Sequence, residues 1–378
     1  MPLFTNNFEA FGLDIGDHSL KLAHVKKIGS TPTLMSYGSL VVPAGISEQG
    51  EIKQSDALAK LIKQLAQNPV GKKISTPYVH ACLPETHSFI KLITLENAEP
   101  KELAARIREE LPNHVPIPPD DLYLDWRVAQ TLDNNLTQVL VGAVPRAIVD
   151  NITNCLISAG LMPVSLQIEA EAILKSLLPL QDQPQTSIAI VDFGATRSSF
   201  ICFDRGIIQF TITLATSSDA ITQVIADQLK LSFEEAEKAK RLCGLDKTAA
   251  EGIVEDLVNK SIGELAADIK KSVSYYAEHF PWSSPITSII MCGGGANLKQ
   301  LKEMLAAKLA PLAIYTGNPL INLVKNLKKI RPKTGSSSDL NFLSPDLIFE
   351  PTKNTCPLTS AEALSYTTAI GLALSNNA

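Results

Sequence analysis

Three stretches decide the reading of this chain: Phe11-Gly12-Leu13-Asp14-Ile15-Gly16, Ile188-Ala189-Ile190-Val191-Asp192-Phe193-Gly194 and Ile289-Ile290-Met291-Cys292-Gly293-Gly294-Gly295. Each is an apolar run of β-forming residues that empties into a glycine turn. The first two set an Asp two residues before a Gly at the strand end. The third is a bare glycine triplet, expected to lead into a helix. Lacking Cβ atoms, such turns let backbone N–H groups approach phosphate closely. Carboxylates at Asp14 and Asp192 are suited to holding hydrated magnesium against that phosphate. Three such turns in this order, far apart in the chain, predict a nucleotide clamped between two similar halves.

The surrounding composition fits that expectation. At 378 residues the chain is long enough for two or more lobes, and with 45% hydrophobic residues it is globular rather than disordered. The net charge of −5 and pI near 5.8 argue against a nucleic-acid binder. The basic run at 325–333 precedes a Ser/Gly stretch and is expected to be a solvated loop. Six cysteines show no CxxC, and Cys202 and Cys292 lie inside apolar runs, so a reducing compartment is expected. The six histidines form no HExxH pattern, and zinc is not expected. Neither a membrane span nor a signal peptide is recognisable, so the expected setting is cytoplasmic, without direct membrane insertion.

Along the chain, β-runs are expected at Phe11–Ile15, Leu20–Lys26, Thr33–Leu40 and Tyr78–Leu83, with an amphipathic helix at 54–68. The region from about 84 to 160 has the order β-α-β-β-α: a strand from Phe89, a helix starting at Pro100, a proline-dense loop, strands around a turn at 133–135, and a helix ended by Gly160. Helix Glu169–Leu177 and a polar linker at 181–185 follow. A second meander occupies Ile188–Asp192, Ser198–Phe203 and Ile207–Leu214. Helices are then expected at 220–229, 233–241, 250–279, 298–309 and 361–374, with a strand at 286–291 and a polar segment at 334–339. A meander with an Asp-x-Gly turn followed by helices thus occurs twice, as a two-lobed clamp requires.

The glycine turns, in this order and spacing, resemble the phosphate-1, phosphate-2 and adenosine motifs of the actin-like ATPase superfamily. Within it, the insertion running from Glu102-Leu103 through Ile107 and Glu110, Val115-Pro116, Asp120-Asp121, Asp125, Val144-Pro145-Arg146 and Ala159-Gly160-Leu161-Met162-Pro163 resembles the small subdomain of the PilM family of type IV pilus assembly. The ending Ala369-Ile370-Gly371-Leu372-Ala373-Leu374 resembles that family's C-terminus. The resemblance implies an α/β actin-like ATPase fold: two ribonuclease-H-like lobes around a nucleotide cleft, with an inserted α+β 1C subdomain. The implied divisions are 1–83 (1A), 84–160 (1C), 161–184 (1A), 185–225 (2A), 226–280 (2B), 281–325 (2A) and 326–378 (1A).

The resemblance also implies a site and partners. ATP and Mg2+ would be bound, with Asp14 and Asp192 toward the metal. Gly16, Asp17, Ser19 and Lys21 in the first turn, and Gly194, Ala195 and Thr196 in the second, would face the phosphates. His18, bulkier than the residues usual there, is expected to point outward. Glu237 would contact ribose, and Lys240 would pack along adenine. Gly293, Gly294 and Gly295 would lie against adenosine and the α-phosphate at a helix start capped by Asn297. Glu169 would position the attacking water, with Glu171 the weaker candidate, although a carboxylate at a helix start is also favourable through the helix dipole alone. Hydrolysis is expected to be slow, because nothing resembles an added arginine finger. The implied partners are the cytoplasmic N-terminal peptide of PilN, lying between 1A and 1C, through it the PilN/PilO inner-membrane complex, and the pilus ATPases. They would hold the protein peripherally at the inner membrane.

One departure is Ser217-Ser218, where many relatives carry Gly-Gly. Ile321-Asn322-Leu323 also resembles the motif that PilN presents, with a structural Asn-Pro element as the plainer reading. Two other functions are compatible with a nucleotide clamp. One is a polymerising ATPase of the FtsA or MreB class, against which the missing C-terminal amphipathic helix argues. The other is a sugar-kinase-like phosphotransferase, for which no substrate-base motif is seen.

Overall fold

The computed structural model describes residues 9–29, 31–96, 101–132, 136–180, 184, 186–280, 283–323 and 358–377. The basic run at 325–333, the segment at 334–339, the turn at 133–135, the Pro100 helix start and all of the 181–185 linker except Pro184 lie outside these residues. The chain forms two compact units. The first takes residues up to Lys175, Ile207–Phe210 and Thr368 onward; the second takes Ser176–Gly206 and Thr211–Thr367.

In the first unit, β1 (Phe11–Ile15), β2 (Ser19–Ile28) and β3 (Thr31–Val41) form an antiparallel meander. The short pair β4 (Ser47–Glu48) and β5 (Glu51–Ile52) follows, then α1 (Ser55–Gln67), β6 (Val70–Gly71) and β7 (Tyr78–Leu83). Helix α1 buries Leu58, Ala59, Ile62 and Leu65; of the predicted stripe Leu58, Leu61, Ile62 and Leu65, Leu61 is only half-buried and Ala59 joins the core. The inserted segment contains β8 (Phe89–Glu96), α2 (Leu103–Glu110), β9 (Leu122–Leu132), β10 (Leu136–Pro145) and α3 (Arg146–Ser158). Strand β10 lies between β8 and β9, and Ile107 and Leu111 cover Val139, Val141 and Ile93 in its core. Gly160 takes a left-handed φ of 83° after α3, and Leu161 N–H donates back to the Leu156 carbonyl, which closes the helix. Strand β11 (Met162–Ile168) then joins β7 in parallel and leads directly into α4 (Glu169–Leu177). The six-stranded order is β11-β7-β1-β2-β3-β6.

The second unit begins with β12 (Ile188–Phe193), β13 (Ser198–Asp204) and β14 (Ile207–Leu214), the last shared with the first unit at its start. Helices α5 (Ser218–Leu229), α6 (Phe233–Cys243) and α7 (Ile253–His279) follow. A capping box between Ser232 and Glu235 starts α6. Then come β15 (Ser288–Cys292), α8 (Leu301–Leu309) and β16 (Ala313–Thr316). Strands β12, β15 and β16 are parallel neighbours, and β13 pairs antiparallel with β12.

Three expectations are corrected. Helix α7 starts at Ile253 rather than 250, because Ala250 and Glu251 have φ of 46° and 54° and Gly252 has 81°. The C-terminal helix is two helices, α9 (Ser360–Leu364) and α10 (Thr367–Leu374). Ser365 and Tyr366 donate to Glu362 and Ala363, a three-residue tightening that ends α9. Helix α8 begins six residues after the glycine triplet, and a 3-10 turn at Gly294–Asn297 intervenes.

Helix α10 is enclosed in the first unit. Ala369, Ile370, Leu372, Ala373 and Leu374 have no exposed surface. A Cβ on Gly371 would sit 1.7 Å from the Ala172 carbonyl oxygen of α4, and one on Gly12 of β1 would sit 2.2 Å from that of Ala369. Two glycines therefore permit the closest approaches on either side of this helix. Just beyond it, the Asn376 side chain accepts from Ala10 N–H and donates to the Ala10 carbonyl, fastening the segment before β1.

Candidate functional site

In the first unit the candidate residues gather at the carboxyl ends of the parallel strands β11, β7 and β1. Asp14 is buried near the end of β1, and the β1–β2 turn sets Lys21 opposite it. The Lys21 Nζ lies 3.8 Å from Asp14 Oδ2, and the Cys82 thiol on β7 donates to Asp14 Oδ1 at 3.4 Å. Glu169 opens α4 one residue past the β11 position paired with Leu83. Burial, with the Asp14 and Glu169 carboxylates nearby, pushes the Cys82 thiol well above its ordinary pKa. Asp14, Cys82 and Glu169 thus share one neighbourhood. Glu171 lies one turn from Lys175 and partly offsets the lowering that burial imposes on that ammonium.

The turn itself is closed by Gly16 N–H donating to Ser19 O at 3.1 Å. Asp17 Oδ1 accepts from Ser47 Oγ at 3.0 Å and from Gly50 N–H at 2.9 Å, so this carboxylate anchors the β4–β5 hairpin. The His18 side chain is exposed, as expected.

In the second unit, Asp192 is the last residue but one of β12, beside the turn Gly194-Ala195-Thr196, where Ala195 and Thr196 are exposed. The carbonyls of Gly194 and Ala195 accept from Ser218 and Asp219 N–H at the start of α5. Ser217 caps that helix by accepting from Ala220 N–H. The first-turn N–H groups of α5 are thereby spent, two on holding the turn and one on the Ser217 cap. Lys240 on α6 is only 4% exposed. Its ammonium donates to Ser218 O (2.8 Å), Ser218 Oγ (2.7 Å) and Thr222 Oγ1 (2.6 Å), and its charge pairs with Glu237 Oε2 at 2.7 Å. Burial lowers the Lys240 pKa, and the Glu237 hydrogen bond partly offsets this. Burial alone would raise Glu237, but hydrogen bonds from Lys240 and Thr222 outweigh it and hold the carboxyl below its ordinary range. The pair therefore locks α6 to α5, and Ser218, which departs from Gly-Gly, is one of its acceptors.

The glycine triplet is held from within the unit. A Cβ on Gly293 would lie 2.2 Å from Asp192 Oδ1, and one on Gly295 would lie 2.6 Å from the Phe193 ring. Only Gly294 has ordinary room, with Ser365 Oγ at 3.4 Å. Close approach by β12 thus accounts for two of the three glycines, and the triplet feeds a 3-10 turn rather than a helix start. Asn297 does not cap α8; its amide donates to Ala361 O, and Gln300 holds the N-cap position. Ile321 and Leu323 are buried, and the Asn322 side chain bonds Leu180 N–H and Leu178 O, so that segment is structural.

Sequence reasoning missed the repeated thiol. Cys292 on β15 lies opposite Asp192 in parallel register, with Sγ 3.7 Å from Oδ1. Cys82 stands in the same relation to Asp14 across β7 and β1. The signal was present: each Cys lies at or next to the end of an apolar run, Cys82 two residues before Pro84 and Cys292 directly before Gly293, in step with an Asp-x-Gly turn.

A family model described as type IV pilus assembly protein PilM matches residues 12–329. The chain belongs to the PilM family. Its role is accordingly in type IV pilus assembly. A solved structure of a PilM-PilN type IV pilus biogenesis complex is similar, with 24% identity, a TM-score of 0.77, and coverage of 98% of this chain and 99% of that one. The ethanolamine utilization protein EutJ from Carboxydothermus hydrogenoformans is also similar, at 14% identity and a TM-score of 0.56 over 97% of this chain and 89% of that one. The fold is the actin-like one expected from the glycine turns. Among the described residues, no helix is long and apolar enough to cross a membrane.

Proposed function

We propose that this protein binds ATP with magnesium and docks the cytoplasmic N-terminal segment of PilN, which holds it at the inner membrane. The observation that carries the nucleotide reading is a duplicated arrangement. In each unit an Asp is the last residue but one of the first strand, a Gly turn follows two residues later, and a Cys on the parallel neighbour donates to the carboxylate. Magnesium fits this donor set. Carboxylate oxygens are hard ligands, and magnesium characteristically takes one or two of them together with substrate phosphates. Asp14 and Asp192 would hold it, and it would neutralise phosphate charge. Lys21, poised on Asp14, would turn to a phosphate oxygen. Glu169 would orient water, and hydrolysis would be slow. Glu237 and Lys240 act by fixing α6 against α5, which shapes the adenosine side.

The PilN reading is supported by family membership and by the similarity to the PilM-PilN complex. The inserted β8–β10–β9 subdomain and the six-stranded sheet lie in one unit, so a peptide between them would be read by that unit alone. Contact with PilO or a pilus ATPase would follow through this docking.

Asp192→Ala should abolish magnesium-dependent ATP binding while circular dichroism stays unchanged; unaltered affinity would remove this site. Titration with the PilN N-terminal peptide, with and without Mg-ATP, tests docking and its coupling to nucleotide. Absence of binding in both conditions would refute the docking role.

A further inference from the structure

We propose that Cys82 and Cys292 are positioning residues: each thiol holds one oxygen of a candidate metal-facing aspartate, so that the carboxylate is oriented before nucleotide and metal arrive. The inference rests on the reading that Asp14 and Asp192 face the metal. It is carried by recurrence. Cys82 Sγ donates to Asp14 Oδ1 at 3.4 Å and Cys292 Sγ to Asp192 Oδ1 at 3.7 Å. Both bonds run across a parallel strand pair. The register Asp192↔Cys292 is matched in the first unit, where Leu13↔Ala81 is followed by Asp14 and Cys82. The two bonds lie in different units, so no shared packing accident produces both.

The plainer role of a buried cysteine is that of a small hydrophobe. Cys82 does pack with Ala172 and Leu372. Packing alone, however, gives no reason for either thiol to meet the Oδ1 of the Asp near the end of the neighbouring strand. The chemistry suits orientation. An S–H group is a weak donor, so it fixes rotation of the carboxylate while leaving most of its charge for a cation. In Asp14 the other oxygen, Oδ2, is the one facing Lys21. In Asp192 the Oδ1 is further confined by the Gly293 backbone, where a Cβ would lie 2.2 Å away.

Two measurements on the full chain test this. The first is the infrared S–H stretch of the nucleotide-free protein, with each band assigned by difference against Cys82→Ser and Cys292→Ser. Asp14→Asn should move the Cys82 band and Asp192→Asn the Cys292 band. The second is magnesium titration of fluorescent ATP-analogue binding. Cys82→Ala and Cys292→Ala should raise the half-saturating magnesium by about three- to tenfold, the range for loss of one hydrogen bond. Affinity for metal-free nucleotide should stay as in the parent. The serine variants, which keep a donor, should recover part of the loss, and Cys202→Ala, a buried thiol on β13, should match the parent. S–H bands indifferent to the Asp substitutions, or alanine variants with parental magnesium dependence, would overturn the inference. Bands that respond in a parent showing no magnesium-dependent binding would instead locate the failure in the nucleotide reading, and the positioning role would fall with it.

Discussion

Gly371→Ala offers a sharp test of how the first unit is held together. The added Cβ would meet the Ala172 carbonyl oxygen at 1.7 Å, half the 3.4 Å at which ordinary contact begins. The obstacle is backbone of α4, which no rotamer change can clear. Retreat toward β1 is closed as well, because Gly12 already meets the Ala369 carbonyl there. Overpacking of this kind costs up to about 3 kcal/mol. Replacing a helical glycine by alanine returns about 1 kcal/mol, which leaves a net loss of about 2 kcal/mol. Gly263→Ala is the matched control. It too lies within a helix, but its nearest neighbour is the mobile Lys308 Nζ at 3.9 Å, so it should gain about 1 kcal/mol. Urea midpoints at constant m-value, with hydrogen exchange to localise the change to β1 and α4, read both effects. Since Leu372 packs on Cys82, the Gly371 variant should also bind nucleotide more weakly. If it proved as stable as the parent while Gly263→Ala gained, the close approach of α10 to α4 would be refuted.

Lys240→Met removes one partner from a buried network, leaving Glu237, Ser218 and Thr222 short of a donor, and should destabilise the second unit by about 3 kcal/mol. A change in urea midpoint too small to measure would show that the network does not hold α6 to α5. His80, bonded to Ser165 Oγ and Asn376 Oδ1, has its pKa lowered below 6.5, chiefly by burial and further by Lys175. The folded state therefore resists its protonation. Its stabilising contribution is full above the unfolded value of 6.5 and is lost as pH falls through the lowered folded value. His24 shifts in the same direction for the same first reason. Melting curves from about pH 7 to about pH 5 should decline, and His80→Gln should flatten that decline. An unchanged slope would contradict the assignment.

Much of this was legible in the sequence because it rests on local signals. Apolar runs ending at Asp14 and Asp192 gave both meanders, and Gly160 and the α1 stripe gave element limits directly. What escaped depends on partners distant in the chain. Strands β4, β5, β6 and β16 are two to four residues long, too short for any alternation to show. The glycine triplet announces close approach but not by whom, and β12 is much of the answer. For Glu237 and Lys240 the resemblance implied ribose and adenine; their tie to α5 shows only once the fold brings Ser218 and Thr222 against them. The break between α9 and α10 is invisible because Ser365 and Tyr366 carry no helix-breaking residue, and tertiary enclosure of α10 decides it.

That enclosure also bears on how the protein is made. Residues 9–175 supply β1 and α4, but the helix that fits between them starts near Thr368, after the second unit has been synthesised. At roughly 5–20 residues per second, the intervening stretch of about 190 residues occupies the ribosome for on the order of 10–40 s. For that interval the α10 slot has no occupant, and its apolar lining, Cys82 and Ala172 among it, waits uncovered. The order of translation therefore makes the second unit the first able to finish folding, while the unit carrying Asp14 closes only when its last helix arrives.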